Sequence, residues 1–319
     1  MHTWFNNVGL IYWELGDIGM AIDRYKKALD IALISPRKTS EGRSLSNLGI
    51  AYEELVRFDK TLDLYRKACE IADICNDERG KAARIKRLGS VLQKMGDTAS
   101  AIENYAKAHT LACERDFRET ETQTPGDLVF AYFLSGNSER AFFQFESALG
   151  NAYDFGDPVI TAAILCDLGF MHHYMQHLDE AFACYEKGLS FQTPVSSFLC
   201  AAYLGVLSLE KRDSQKASKY LSEADTLCHI ILDKTPDFLT ARYSLAFCSL
   251  ATCTNANQAR TAYWEALQLS SARGVAQRAL MDLSLLERAA PSTPGTGEVK
   301  VLLDEAFAKD PGSFSTPHN

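Results

Sequence analysis

The stretch Val8-Gly9-Leu10-Ile11-Tyr12 returns as Leu48-Gly49-Ile50-Ala51-Tyr52 and again as Leu88-Gly89-Ser90-Val91-Leu92, 40 residues on each time. Twelve residues after each glycine stand Ala21, Thr61 and Ala101. Tyr25, Tyr65 and Tyr105 follow four further on, and Ala28, Ala68 and Ala108 three beyond those. The same frame runs through Leu128, Tyr132, Ala141, Phe145 and Ala148, then Leu168, Gly169, Ala181, Tyr185 and Gly188. These positions fall at helical spacing, so each unit presents an apolar stripe. Small residues let two antiparallel helices approach closely, and the aromatic rings fill the space beside them. One hairpin cannot bury its stripe alone, whereas stacked neighbours form a continuous core.

The punctuation agrees. Gly16-Asp17, Gly96-Asp97 and Gly136-Asn137 each end a first helix with glycine and cap a second with an Asx residue. Asp157-Pro158, Thr193-Pro194 and Thr235-Pro236 read as an N-cap followed by proline at the first helical position. Beyond the fifth unit the register loosens. A sixth unit fits Leu204, Gly205, Ala217, Leu221 and Ala224, and a seventh fits Phe247, Leu250, Ala259, Tyr263 and Ala266. An amphipathic helix is expected over Val275–Ala289. A linker, Pro291–Gly297, then leads to a last helix around Glu298–Lys309.

The Gly-x-x-Tyr … Ala-x-x-x-Tyr-x-x-Ala pattern resembles the tetratricopeptide-repeat (TPR) family over nearly the whole chain. The 40-residue unit is similar to the longer repeats of kinesin light chain, of Leu-Gly-Asn-rich spindle adaptors and of bacterial STAND-type signalling ATPases. Glu41–Gly49 and the run from Arg273 through Leu286 look most like the bacterial sort. The resemblance implies an all-α, right-handed superhelix of about seven hairpins plus C-terminal helices. Five regular hairpins are expected over 1–190, two divergent ones over 191–272, capping helices over 273–310 and a disordered tail over 311–319.

Composition narrows the function. The chain has 319 residues, 46% hydrophobic and 23% charged, with a formal charge of −8. Residues 121–204 carry only Arg140 and Lys187 against ten acids, while residues 1–120 are nearly neutral. No broad basic face exists, which argues against a nucleic-acid partner. No run is long and apolar enough for a membrane span, and Met1–Asn7 lacks the layout of a secretory signal. The cytoplasm is the expected compartment. The nine cysteines form no CxxC pair, so neither disulfides nor a structural zinc is expected. GxxxxGK[ST], GxSxG and GxGxxG are all absent. His173 and His177 share a helix face, but Tyr174 stands where an HExxH helix has its glutamate. An enzyme is not expected, and no cofactor or metal is assigned.

The TPR resemblance implies a ligand in the concave groove lined by the first helix of each unit. That carries over to Asn7 and Trp13 of the first unit, Asn47 of the second, and Lys86, Arg87 and Lys94 of the third. Phe130 and Phe133 of the fourth unit and Phe170, His173 and Tyr174 of the fifth complete the row. Asn7 and Asn47 stand one repeat apart and could hold the backbone of an extended peptide. From Arg79 through Met95 there are six basic residues and no acid, a seat for a carboxylate. The aromatic residues are expected to take apolar side chains of the partner. Only Asn47 and Arg87 match the clamp that grips chaperone C-termini, so that ligand is not expected. The sequence thus points to a peptide- or protein-binding scaffold, with a bacterial signalling or regulatory role. The alternative is a sensor arm that regulates a fused or neighbouring NTPase without a groove ligand. An N-terminal domain or partner chain is expected to cover the first repeat, which starts without a polar capping helix.

Overall fold

The computed structural model describes residues 1–308 apart from 116, 253–255 and 271. The expected tail over 311–319, Lys309 and Cys253 lie outside the described residues, as does the Phe145 side chain. All regular structure among the described residues is helical. Five hairpins follow the 40-residue frame: α1 (His2–Glu14) with α2 (Ile18–Leu33), α3 (Lys38–Glu54) with α4 (Phe58–Cys75), α5 (Glu78–Met95) with α6 (Thr98–Glu114), α7 (Arg118–Leu134) with α8 (Ser138–Phe155), and α9 (Pro158–Tyr174) with α10 (Leu178–Ser190). Two more follow, α11 (Pro194–Glu210) with α12 (Ser214–Leu232) and α13 (Leu239–Ala251) with α14 (Ala256–Leu269). The C-terminal pair is α15 (Arg273–Ala289) and α16 (Thr296–Ala308). Each hairpin packs on the next, giving the TPR-type α-solenoid.

The hairpins are closed by one recurring contact. Gly9, Gly49, Gly89 and Gly169 face the rings of Tyr25, Tyr65, Tyr105 and Tyr185, so closely that a Cβ would lie 2.4–2.8 Å from the ring. Those four rings are buried, each contributing on the order of 2–3 kcal/mol. Asp17, Asp77, Asp97, Asp157 and Asp213 cap the following helices by accepting backbone N–H bonds.

The solenoid curls until its first unit meets the end of the sixth. The α1–α2 turn docks on the end of α12, where the Thr235 hydroxyl accepts from Ile18 N–H at 2.9 Å and donates to the Gly16 carbonyl. Lys234 Nζ donates to the Leu15 carbonyl at 3.2 Å. Ile18, Tyr25 and Leu48 share one core cluster with Cys228, Ile231 and Phe238, and Trp13 packs on it. Thr235 therefore does not open a helix as its Thr-Pro sequence suggests. Its side chain is spent on this closure, and α13 begins later, with Phe238 at the N-cap.

The same curl carries α15 to the inside. It packs on α11 and α13 and also on α5, five units back along the chain. Gly274 makes that approach possible, because a Cβ there would lie 2.0 Å from the Gln93 carbonyl oxygen.

If the glycine–tyrosine contact sets the hairpin, Gly49→Ala should cost about 1–3 kcal/mol through overpacking. Gly150→Ala, whose Cβ would meet nothing within 4 Å, should stabilise by roughly 0.5–1 kcal/mol. Urea denaturation of the two variants checks the opposite signs.

Candidate binding surface inside the solenoid

The first helices α3 and α5 bring Asn47, Lys86 and Arg87 to one polar pocket of 480 Å³. Arg43, Arg79 and Arg84 complete its basic wall, and Asp77 is its one acid. Asp77 is already engaged, capping Gly80 N–H at 2.9 Å and pairing with Arg84 at 3.4 Å. Arg84 is buried and lies across Gly42, which has no Cβ to obstruct it. Lys86 is buried and pairs with Asp127 of α7 at 3.3 Å. Among the described residues Arg43 and Arg87 make no ion pair. Asn47 donates to Asn6 Oδ1 at 3.1 Å, and Asn6 donates to Ser44 Oγ at 3.1 Å. The amide stack between the first two units thus uses the buried Asn6, while Asn7 is exposed and does not line the pocket. Trp13 belongs to the closure core instead, with its indole N–H unpartnered.

Lys94 lies two turns along α5 and meets a carboxylate. Glu53, buried between the helices, accepts from Lys94 at 2.9 Å, Ser90 Oγ at 2.6 Å and Tyr65 Oη at 3.1 Å. Burial pushes its carboxyl up, but Lys94, Arg87 and the Ser90 hydroxyl outweigh this and hold it below the usual range. At Glu54 burial wins, and its carboxyl is raised. Arg87 acts on both carboxylates only at longer range.

The aromatic row is not an open groove. Phe130, Phe133 and Phe170 are buried, in tilted and edge-to-face contact at centroid distances of 6.2–6.4 Å. The chain's own α15 occupies the space expected for a partner. The Arg278 guanidinium sits 3.8 Å from the Phe170 ring centroid and 4.8 Å from that of Phe130. Arg278 also donates to Tyr203 Oη at 2.9 Å and pairs with Asp282 at 3.4 Å and Asp167 at 3.6 Å. Arg288 donates to the His173 carbonyl at 2.8 Å and covers the Tyr174 ring. His173 is buried against Glu210, with Nε2 2.9 Å from the carboxylate. Burial lowers its pKa more than Glu210 raises it, so a neutral ring with Nε2–H donating fits best. His172 and His177 face each other at 3.4 Å, and His173 points elsewhere.

Between α5, α7, α9, α11, α13 and α15 lies a second cavity of 230 Å³. Asp167 lines this cavity and keeps 40% of its side-chain surface exposed. The surrounding protein removes bulk water, and its carboxyl is pushed up to about 6 despite Arg278. Burial likewise raises Asp282. Tyr203, Arg278 and Asp282 were not expected at the site. Tyr203 stands in the row Asn7, Asn47, Arg87, Asp127, Asp167, displaced only by the shortened sixth unit, so that row was the available signal.

The comparisons agree with this architecture. Residues 1–73 match the tetratricopeptide repeat family model. The sequence matches no curated protein. Among solved structures, the Rap protein complexed with Competence and Sporulation Factor superposes with a TM-score of 0.67 at 15% identity, covering 93% of this chain and 87% of that one. The Rap conjugation gene regulator of plasmid pLS20, in complex with the Phr* peptide, gives 0.65 at 16% identity, covering 97% and 77%. The STAND protein with a TPR sensor from Pyrococcus horikoshii gives 0.55 at 14% identity, covering 96% of this chain but only 47% of that protein. At these identities the likeness is one of fold. No helix among the described residues is long and apolar enough to cross a membrane.

Asp167 carries a signed prediction. Its native carboxyl titrates near 6, above the value of 3.8 for an unperturbed aspartate, so the folded state holds the proton more tightly. Its contribution to stability therefore falls as pH rises from about 4 to about 6. Asp167→Asn should raise the urea midpoint at pH 7.5 and leave it nearly unchanged at pH 4. A loss of stability at both pH values would contradict the assignment.

Proposed function

We propose that the chain is a non-catalytic scaffold that binds an acidic segment of a peptide or protein inside its solenoid, with Asn47, Lys86, Arg87 and Arg43 as the gripping set. One observation carries the reading: five cationic side chains surround the pocket against one acid, and two of them, Arg43 and Arg87, make no ion pair among the described residues. A carboxylate entering there gains charge-assisted hydrogen bonds without displacing an existing partner. Asn47 supplies the amide that meets the ligand backbone. The two Rap structures were solved with Competence and Sporulation Factor and with the Phr* peptide, which supports a ligand for a chain of this fold. Asn7 and Trp13 have no part in this grip, and the aromatic row serves α15. A regulatory role in the cytoplasm is the setting that suits such a receptor.

The sensor-arm reading rests on a different observation. One face of α1 and the residue after it exposes Trp4, Ile11 and Leu15, an apolar strip that suits a covering domain or partner.

A pool of random octapeptides passed over immobilised protein should be enriched in Asp and Glu. For the best peptide, Arg43→Ala and Arg87→Ala should each weaken binding by tenfold or more, with helical circular dichroism unchanged. A neutral selection, or affinity untouched by both changes, would remove the pocket as the site.

A further inference from the structure

The basic pocket and the 230 Å³ cavity share a helix. α5 carries Lys86 and Arg87 in the pocket and Lys94 in the cavity, seven residues beyond Arg87. At 1.5 Å per helical residue the two sites lie about 10 Å apart along its axis. On the facing wall, Asp127 of α7 pairs with Lys86, and Asp167 of α9 lines the cavity. Asp127 is near enough to Asp167 to act on its carboxyl, and the two keep 39% and 40% of their side-chain surface exposed. The two sites differ in kind. In the pocket, Arg43 and Arg87 make no ion pair among the described residues. The cavity is balanced, since Asp167 and Asp282 pair with Arg278, and Lys94 lines the same wall. The rest of that wall is largely apolar and aromatic, including Leu134, Tyr243, Phe247 and Val275. The Tyr243 hydroxyl is committed to the Ser270 carbonyl at 2.7 Å, so Tyr243 offers the cavity mainly its ring. Such a wall favours a neutral, apolar occupant.

We propose that the cavity is the second subsite for the segment held in the basic pocket, and that it takes an aromatic side chain three residues away from the acidic one. This rests on the acidic-segment reading above and adds to it a second anchor and a spacing. An apolar cavity of about 150 Å³ holds benzene, so 230 Å³ accommodates an aromatic side chain. The spacing follows from backbone geometry. A polyproline II segment rises about 3.1 Å per residue with three residues per turn, so positions three apart lie on one side of it, about 9 Å from each other. That matches the separation of the two sites. In a β-strand, side chains three apart point to opposite faces. On a helix, residues three or four apart are only about 5–6 Å from each other. Asp127 and Asp167 fix which end is which. They repel a carboxylate near the cavity, so the acid belongs at Arg43 and Arg87 and the neutral ring in the cavity.

End-blocked hexapeptides built on Glu-Pro-Pro-Phe and on the reversed order Phe-Pro-Pro-Glu test the spacing, by calorimetric titration of the full chain. The Pro-Pro spacer holds the polyproline II backbone. One order is expected to bind saturably, at least tenfold more tightly than its counterparts with Phe replaced by Ala or with one proline removed. Val275→Trp fills the cavity, so it should erase the advantage of Phe over Ala and keep the preference for Glu over Gln. Arg87→Ala should do the reverse, with helical circular dichroism unchanged in both variants. If Glu is preferred to Gln while Phe and Ala bind alike, the cavity proposal is wrong and the acidic-segment reading stands. If Phe is preferred while Glu and Gln bind alike, the acidic-segment reading fails and the paired spacing fails with it. No saturable binding in either order overturns the proposal, and the octapeptide selection then decides the acidic-segment reading by itself.

Discussion

The fold depends on how closely the two helices of a hairpin approach, and in four of the hairpins that distance is set where a glycine faces a tyrosine ring. Gly49 on Tyr65 and Gly169 on Tyr185 leave no room for a single methyl group. Close hairpins leave the first helices to form a narrow inner wall, and a narrow wall turns sharply from one unit to the next. The turn accumulates until the α1–α2 turn reaches α12 and α15 reaches α5. This solenoid encloses its inner surface and reduces it to a basic pocket and a central cavity.

Enclosure changes the chemistry of the charges it traps. On an open groove, Lys94 and Glu53 would be solvated surface residues worth little to each other. Buried together they must satisfy one another, which is why Glu53 collects three donors. The same requirement explains Arg278, which lies on Phe170 while bonding Tyr203 and two aspartates. Charges that escape such pairing therefore stand out: Arg43 and Arg87 make no ion pair among the described residues. Function is best sought where the balance fails.

The repeat frame was fully legible, because Gly9, Tyr25 and Ala28 recur at fixed spacing and each spacing has a steric reason. The aspartate caps were legible too, since Asp17, Asp97 and Asp157 act within a few residues of themselves. What could not be read was anything set by accumulated rotation. Nothing near Thr235 announces that its hydroxyl will meet Gly16, and nothing near Gly274 that it will press on the Gln93 carbonyl. The aromatic row illustrates the cost: Phe130, Phe133 and Phe170 do line the inner face, but their occupant is the chain's own α15. The amide stack was missed by one residue, Asn6 in place of Asn7, because equivalence in the repeat fixes a position and not which neighbour turns inward. Lys86 and Arg87 both reach the inner pocket as expected, yet the acid that pairs with Lys86 comes from α7.

Amide hydrogen exchange, with and without the selected acidic peptide, tests the central claim most directly. Slowed exchange over residues 43–50 and 79–87 is the predicted footprint. Protection on α4 and α6, or on the outer face of α1 with the pocket unchanged, would contradict it and move the binding surface to the outside of the solenoid.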